Sequence, residues 1–354
     1  MRMTTSLRDL FRYPIIQAPM AGGPGTPRLG AAVTDAGGFA FLAAGYKTAD
    51  ALRAEIAEIR ALTSTPFGVN IFVPQHVPVD GDALQRYRER LTPEAERLGV
   101  ALGDPVWDDD QWGAKISFLL EDPVPVVSFT FGCPDADVIA ALRRRGSLTV
   151  VTVTTSEEAR LATAAGADAL CVQGSEAAAH QASFDNGPAR DVGLLPLLAE
   201  VQSATALPLI ATGGLMRGAD VAAVLAAGAI AAQCGTAFLR CPESGTHRTH
   251  RAALADPRFA ATAVTRAFTG RWARSLVNRF LLAHDAAAPR AYPHIHHLTR
   301  HVRRAAAERG DPDALHLWAG QGFRQAEERP ATDVVDRLVR AARAALGRAW
   351  KSFT

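Results

Sequence analysis

Residues 207–236 read LPLIATGGLMRGADVAAVLAAGAIAAQCGT, and this stretch decides the fold. The apolar run Leu207–Ala211 is too short for a helix and is bounded by turn residues, as a buried strand is. Thr212-Gly213-Gly214 breaks it, an Ala-rich amphipathic segment follows over Gly218–Ala227, and Gly228 ends that helix. A second apolar strand, Ala229–Gln233, then runs into Cys234-Gly235-Thr236. Strand, helix and strand in roughly thirty residues make one βαβ unit with parallel strands.

Working outward, the same alternation extends back to the start of the chain. Further strands are expected at Pro14–Ala18, Phe39–Ala43, Phe67–Phe72, Val124–Phe129, Leu148–Val153 and Ala169–Val172. Helices are expected at Thr48–Leu62, Asp135–Arg145, Ser156–Ala165 and Leu194–Ser203, with Thr48 and Ser156 as N-caps and Gly146 and Gly166 as terminators. Near-continuous apolar strands alternating with helices imply a parallel sheet covered by helices. Eight units in about 240 residues match a (β/α)8 TIM barrel, and no GxGxxG turn supports an open dinucleotide-binding sheet. The expected fold is therefore α/β, a barrel over residues 1–240 completed by 312–354. An insertion at Pro74–Asp110 carries a short helix and should overhang the catalytic face. Residues 241–311, rich in Arg and His, should form a mainly helical substrate lobe packed on the barrel.

Composition narrows the function. Of 354 residues 48% are hydrophobic and 21% charged, which excludes a disordered chain. A formal charge of +2 is too even to suggest nucleic acid or an anionic membrane as partner. Cys133, Cys171, Cys234 and Cys241 lack CxxC spacing, so neither zinc nor a disulfide framework is expected. The N-terminal stretch has no apolar signal region, and the run Val221–Ala232 falls short of the ~18 residues a spanning helix needs. A cytoplasmic location is the expectation.

In a barrel the carboxyl ends of the strands carry the chemistry. Here those ends hold Gln17 to Met20, Ala44-Gly45, Asn70, Thr130, Thr152, Thr154, Gln173-Gly174, Thr212 to Gly214 and Gln233 to Thr236. Amides, hydroxyls and glycines dominate; the carboxylates or paired histidines of a metal site are missing. Such donors and acceptors suit a planar heterocycle. The two glycine loops offer backbone N–H groups near helix starts, the usual phosphate site of this fold. Phosphate beside neutral amides suits FMN. Pyridoxal phosphate finds only Lys47 near a strand end, and sugar phosphates stay open. His180, in the loop after the sixth strand, is the one imidazole on the face of the barrel proper and a candidate base. The lobe histidines His247, His250, His294, His296, His297 and His301 lack a completing carboxylate or cysteine. They are read as a solvated face or a lobe–barrel contact rather than a metal site.

At these residues the chain resembles the nitronate monooxygenase family, formerly called 2-nitropropane dioxygenases. The resemblance runs through YPIIQAPMAGGPGTPRLGAAVTDAGG (13–38), FGVNIFVP (67–74), CVQGSEAAAHQASF (171–184), ATGGL (211–215) and QCGTAFL (233–239). It continues in PESGTHRTHRAAL (242–254), TRAFTGRWARSL (265–276), AYPHIHHLT (291–299) and LWAGQG (317–322). It implies FMN held without a covalent bond by positions matching Met20, Asn70, Gln173, Gly214, Gln233, Cys234, Gly235 and Thr236. Gly174, Ala178 and Gly213 stand beside them in the same loops, and Trp318, Ala319, Gly320 and Gln321 close one side. His180 matches the catalytic histidine. Ala178-Ala179 replaces the family's usual Gly-Gly, which implies backbone strain if Ala178 must take a glycine conformation.

The implied reaction takes a nitronate, or a nitroalkane deprotonated by His180, with O2 to an aldehyde or ketone and nitrite. No reduced nicotinamide is consumed. The implied protein is a monomer or homodimer. Two other enzymes share the fold in this reading, the FMN-dependent NADH-using enoyl-acyl-carrier-protein reductase and the NADH:quinone reductase. A flavoprotein whose FMN is not catalytic is a third reading.

Overall fold

The structure, a computed structural model, describes residues 6–76 and 78–352. Eleven strands occur among them: β1 (Ile15–Gln17), β2 (Phe39–Ala43), β3 (Gly68–Phe72), β4 (Val126–Thr130), β5 (Leu148–Val153), β6 (Ala169–Gln173), β7 (Ala179–His180), β8 (Leu209–Thr212), β9 (Ala231–Cys234), β10 (Thr262–Thr265) and β11 (Ala273–Leu276). Strands β1 to β6 with β8 and β9 close a parallel barrel, β9 pairing with β1 through Ile16↔Gln233. The eight-stranded barrel is as expected, and each strand lies within a few residues of its expected place.

Burial explains why these runs become strands. All five residues of β2 are buried, so one side faces the barrel interior and the other the surrounding helices. Ile16, Phe39, Phe41, Val126, Val150, Ala169, Cys171, Ile210 and Ala231 fill the interior, and Leu7 and Phe11 close it from the N-terminal segment. The outer layer contains α1 (Pro27–Asp35), α2 (Ala49–Leu62), α4 (Trp112–Glu121), α5 (Ala136–Arg144), α6 (Ser156–Ala164), α7 (Leu194–Ala204), α8 (Gly218–Ala226) and the final helix α12 (Ala331–Lys351). Thr48 caps α2, its hydroxyl accepting from the Ala51 N–H at 3.1 Å. The cap of α6 is Thr155 rather than Ser156; its hydroxyl accepts from Glu158 N. Helix α12 packs against α8, and a Cβ on Gly218 would lie 2.3 Å from the Ala342 nitrogen. Only glycine permits that approach.

Above the carboxyl ends lies a second apolar core. It gathers Phe268, Leu276, Phe280, Ile295, Leu298 and Leu317 with Tyr87, Leu91 and Ala95 of the insertion helix α3 (Gly81–Arg97). That helix is longer than the short one expected, and its apolar face joins this core. Helices α9 (Arg248–Ala253), α10 (Arg279–His284) and α11 (His294–Glu308) belong to the same region. The region is not all helix. Strands β10, β11 and β7 form an antiparallel sheet in the order β10-β11-β7, with Ala273 opposite His180. No helix among the described residues is long and apolar enough to cross a membrane.

Candidate active site

The barrel strands and the overlying region enclose a cavity of about 510 Å3, within the range of small-molecule sites. Its floor is made by strand ends: Asn70, Thr130, Thr152, Gln173, Thr212, Gln233 and Cys234. Asn70 Nδ2 donates to Ser128 Oγ and Thr130 Oγ1, both at 2.9 Å, which leaves Oδ1 as an acceptor. Gln173 is held at both ends, Nε2 on the His180 carbonyl at 3.3 Å and Oε1 accepting from Ala182 N at 2.8 Å. Burial pushes the thiols of Cys171 and Cys234 up to about 12, so both stay protonated.

The two glycine loops sit side by side because β8 and β9 are neighbours. Among the described residues, the N–H groups of Gly213, Gly214, Leu215 and Gly235 donate to no protein acceptor. Gly213 and Gly214 have φ of 135° and 66°, a conformation that side chains resist. A Cβ on Gly214 would also lie 3.0 Å from Glu176 Cβ. Unpaired backbone donors at a site this enclosed call for an anionic partner.

His180 stands on the wall, set there by pairing of β7 with β11. Its Nε2 lies 2.9 Å from Thr269 Oγ1. Phe131, Tyr292 and Trp318 surround the ring at centroid distances of 5.6, 5.7 and 5.6 Å. Burial, with the charges of Arg271 and Arg303, lowers its pKa to about 3, so the imidazole is neutral in the working range. Thr269, Tyr46, Phe72, Phe131, His296, Arg303 and His316 also line the cavity. Tyr46 stacks on His296 at 4.0 Å, and burial raises its phenol to about 12. Arg303 is buried, donating to Thr299 Oγ1 and the His296 carbonyl, with no carboxylate partner among the described residues. The lining holds Arg300, Arg303 and Arg304 and no carboxylate among the described residues. A site of this kind favours an anion.

Of the residues expected from sequence, Met20, Asn70, Gln173, Ala178, His180, Gly213, Gly214, Gln233, Cys234, Gly235, Thr236 and Trp318 line this cavity together. Gly174, Ala319, Gly320 and Gln321 stand behind the lining. Gly174 N bonds the Thr212 carbonyl, Gly320 N bonds Thr236 Oγ1, and Gln321 N bonds the Glu176 carbonyl. Left-handed backbone falls on Ala179, at φ 59°, and not on Ala178. The lobe histidines divide. His250 and His296 face the cavity, and His247, exposed, lines it as well, while His297 pairs with Asp108 and His301 with the Ala101 carbonyl outside it. For the first two a solvated face is the wrong description; a contact over the barrel is the right one. Sequence reasoning missed Thr269, His296, Arg303 and His316 as cavity residues, although TRAFTGRW and AYPHIHHLT contain two of them.

Fold and site define a (β/α)8-barrel enzyme with an amide floor, paired glycine loops and a cationic roof. The nitronate monooxygenase family description matches residues 4–341. A nitronate monooxygenase of Pseudomonas aeruginosa is 40% identical over 340 residues, 93% of this chain and 96% of that protein. A probable nitronate monooxygenase of Staphylococcus aureus is 36% identical, covering 93% and 94%. The structure of a nitroalkane oxidase from Streptomyces ansochromogenes superposes with a TM-score of 0.95 at 54% identity, covering 98% of this chain and all of that one. FabK from Thermotoga maritima superposes at 0.75 with 26% identity, covering 97% and 96%. The chain belongs to the nitronate monooxygenase family and is an oxidoreductase.

Proposed function

We propose that this protein is an FMN-dependent nitronate monooxygenase, converting an alkyl nitronate and O2 into an aldehyde or ketone and nitrite. The observation that carries the reading is the set of four unpaired N–H groups on Gly213, Gly214, Leu215 and Gly235, beside an amide floor. These residues fit FMN: the N–H groups would hold its phosphate, and Asn70 Oδ1 and Gln233 would meet polar ring edges. Bound FMN would supply the electron acceptor for the substrate carbon and the route to dioxygen.

The chain's own residues would do the rest. Arg303, with Arg300 and Arg304, would draw the anionic nitronate in, and the aromatic wall would exclude water. With the Thr269 hydroxyl proton on the Arg271 carbonyl, 3.2 Å away, His180 Nε2 donates to Thr269 and Nδ1 keeps the lone pair. Neutral His180 would then accept the α-proton of a nitroalkane arriving undeprotonated. In this reading the barrel, 1–240 with 312–354, holds the cofactor and 241–311 is the substrate lobe. The enzyme is cytoplasmic, a monomer or homodimer, acting on a small-molecule nitronate.

The test is a visible spectrum of purified protein followed by analysis of the released chromophore. A yellow protein releasing FMN on denaturation is expected; a colourless protein that takes up no added FMN refutes the reading. Rapid anaerobic oxidation of NADH would favour the enoyl reductase or quinone reductase instead.

A further inference from the structure

Arg271 is among the most buried side chains of the protein, 1% exposed, and no carboxylate forms an ion pair with it among the described residues. A buried guanidinium is retained only where its donors are satisfied. Here they are spent on the segment that follows His180. Nε donates to the Gln181 carbonyl at 3.2 Å, and Nη2 to the carbonyls of Ser183 and, at 3.5 Å, Asp185. Nη1 donates to Gln75 Oε1 at 2.9 Å, and Gln75 Nε2 in turn donates to the carbonyls of Phe131 and Phe184. The guanidinium also lies 4.1 Å from the centroid of the Phe131 ring, which meets His180 edge to face. Phe131 has φ 76°, and a left-handed non-glycine residue persists only where its surroundings hold it.

We propose that Arg271 is the positioning residue of the active site: it clamps the loop after His180 and the Phe131 ring, and keeps a positive charge behind the imidazole. The proposal rests on the reading of His180 as the base. Arg271 itself does not line the main cavity; it acts through the loop, through Phe131 and through Thr269, two residues before it. Two effects follow from one side chain. The fork fixes where His180 points, and the charge opposes its protonation.

Other titratable and charged groups also face His180. Arg303 of α11 is cationic and opposes protonation in the same direction, while His296 and His316, driven well below the ordinary value by burial, are neutral. Tyr46 and Tyr292 are neutral phenols, raised by burial. Glu158 and Asp185 stand near enough to Arg271 to offset part of its charge, and neither lines the cavity.

The test uses the full chain, with the imidazole carbons labelled, and follows the His180 resonance by NMR; H180N assigns it by its disappearance. Removing the charge in Arg271→Met should raise the His180 titration midpoint by about one pH unit or more. It should also speed amide exchange over residues 181–185. Arg271→Lys keeps the charge and loses the fork, so it should leave the midpoint near the wild-type value while exchange still rises. Should the methionine variant fail to fold, Arg271→Gln, which keeps one carbonyl contact, serves in its place. A midpoint and exchange rates both unchanged in a folded neutral variant overturn the proposal. Both readouts are independent of turnover, so a failure of the proposed activity would show separately as absent nitrite release by wild type.

Discussion

Nε2 of His180 and the hydroxyl of Thr269 lie 2.9 Å apart across 89 residues of sequence. The pairing of β7 with β11 brings them together, since Ala273 opposes His180 in the short antiparallel sheet. The barrel thus supplies the floor, while a strand from the overlying region orients the imidazole.

This arrangement separates base from binder. A nitronate arrives without its α-proton; a neutral nitroalkane must lose it in the site. His180→Asn is expected to lower kcat/KM for nitroethane by ~10²-fold or more, the usual scale for loss of a general base. Ethyl nitronate should be affected much less. Steady-state kinetics on both substrates decide it, and equal losses would assign His180 to binding alone.

Gly214 has φ 66°, and an added Cβ would meet Glu176 Cβ at 3.0 Å. Gly214→Val should therefore strain the loop by about 1–3 kcal/mol and withdraw its N–H from the anion. FMN affinity, followed by flavin fluorescence during titration of the apoprotein, should fall by ~10-fold or more. Full flavin occupancy in this variant would remove the loop from the phosphate site.

Much of this was legible in the sequence. The barrel strands are short apolar runs whose positions follow from burial on both faces, so local pattern was enough. The glycine loops were legible for the same reason, since their geometry is local to βα turns. The sheet β10-β11-β7 was not. TAVT and ARSL are only four residues each, and the partner strand is the two-residue Ala179–His180, far back in the chain. The strained position also moved by one residue, from Ala178 to Ala179, because φ depends on that distant pairing. Arg303 and His296 could not be told from surface residues, since helix α11 has both an exposed and a buried face and no local signal says what covers the latter.

Burial of neutral histidines sets an acid limit on stability. The pKa of His180 is lowered to about 3 and that of His250 to about 4, while His296 and His316 are driven well below the ordinary value, burial being the main cause in each. In the unfolded chain each binds a proton near pH 6.5, so the unfolded state gains protons first as pH falls. The stability these residues contribute is complete above about pH 6.5 and is lost below it, by up to about 1.4 kcal/mol per pH unit for each histidine. Thermal unfolding should show Tm dropping between pH 7 and 5. A flat profile there would mean that these imidazoles are protonated in the folded state.

Oxidative cleavage of a nitronate is tested at its chemistry by product stoichiometry. Purified protein with FMN bound is mixed with propyl-1-nitronate in air-saturated buffer, and oxygen uptake and nitrite are measured without any nicotinamide. Oxygen consumption with nitrite released in step with nitronate loss is expected, with no stimulation by NADH. Flavin-loaded protein that leaves the nitronate intact, or that turns over only when NADH is supplied, would contradict it.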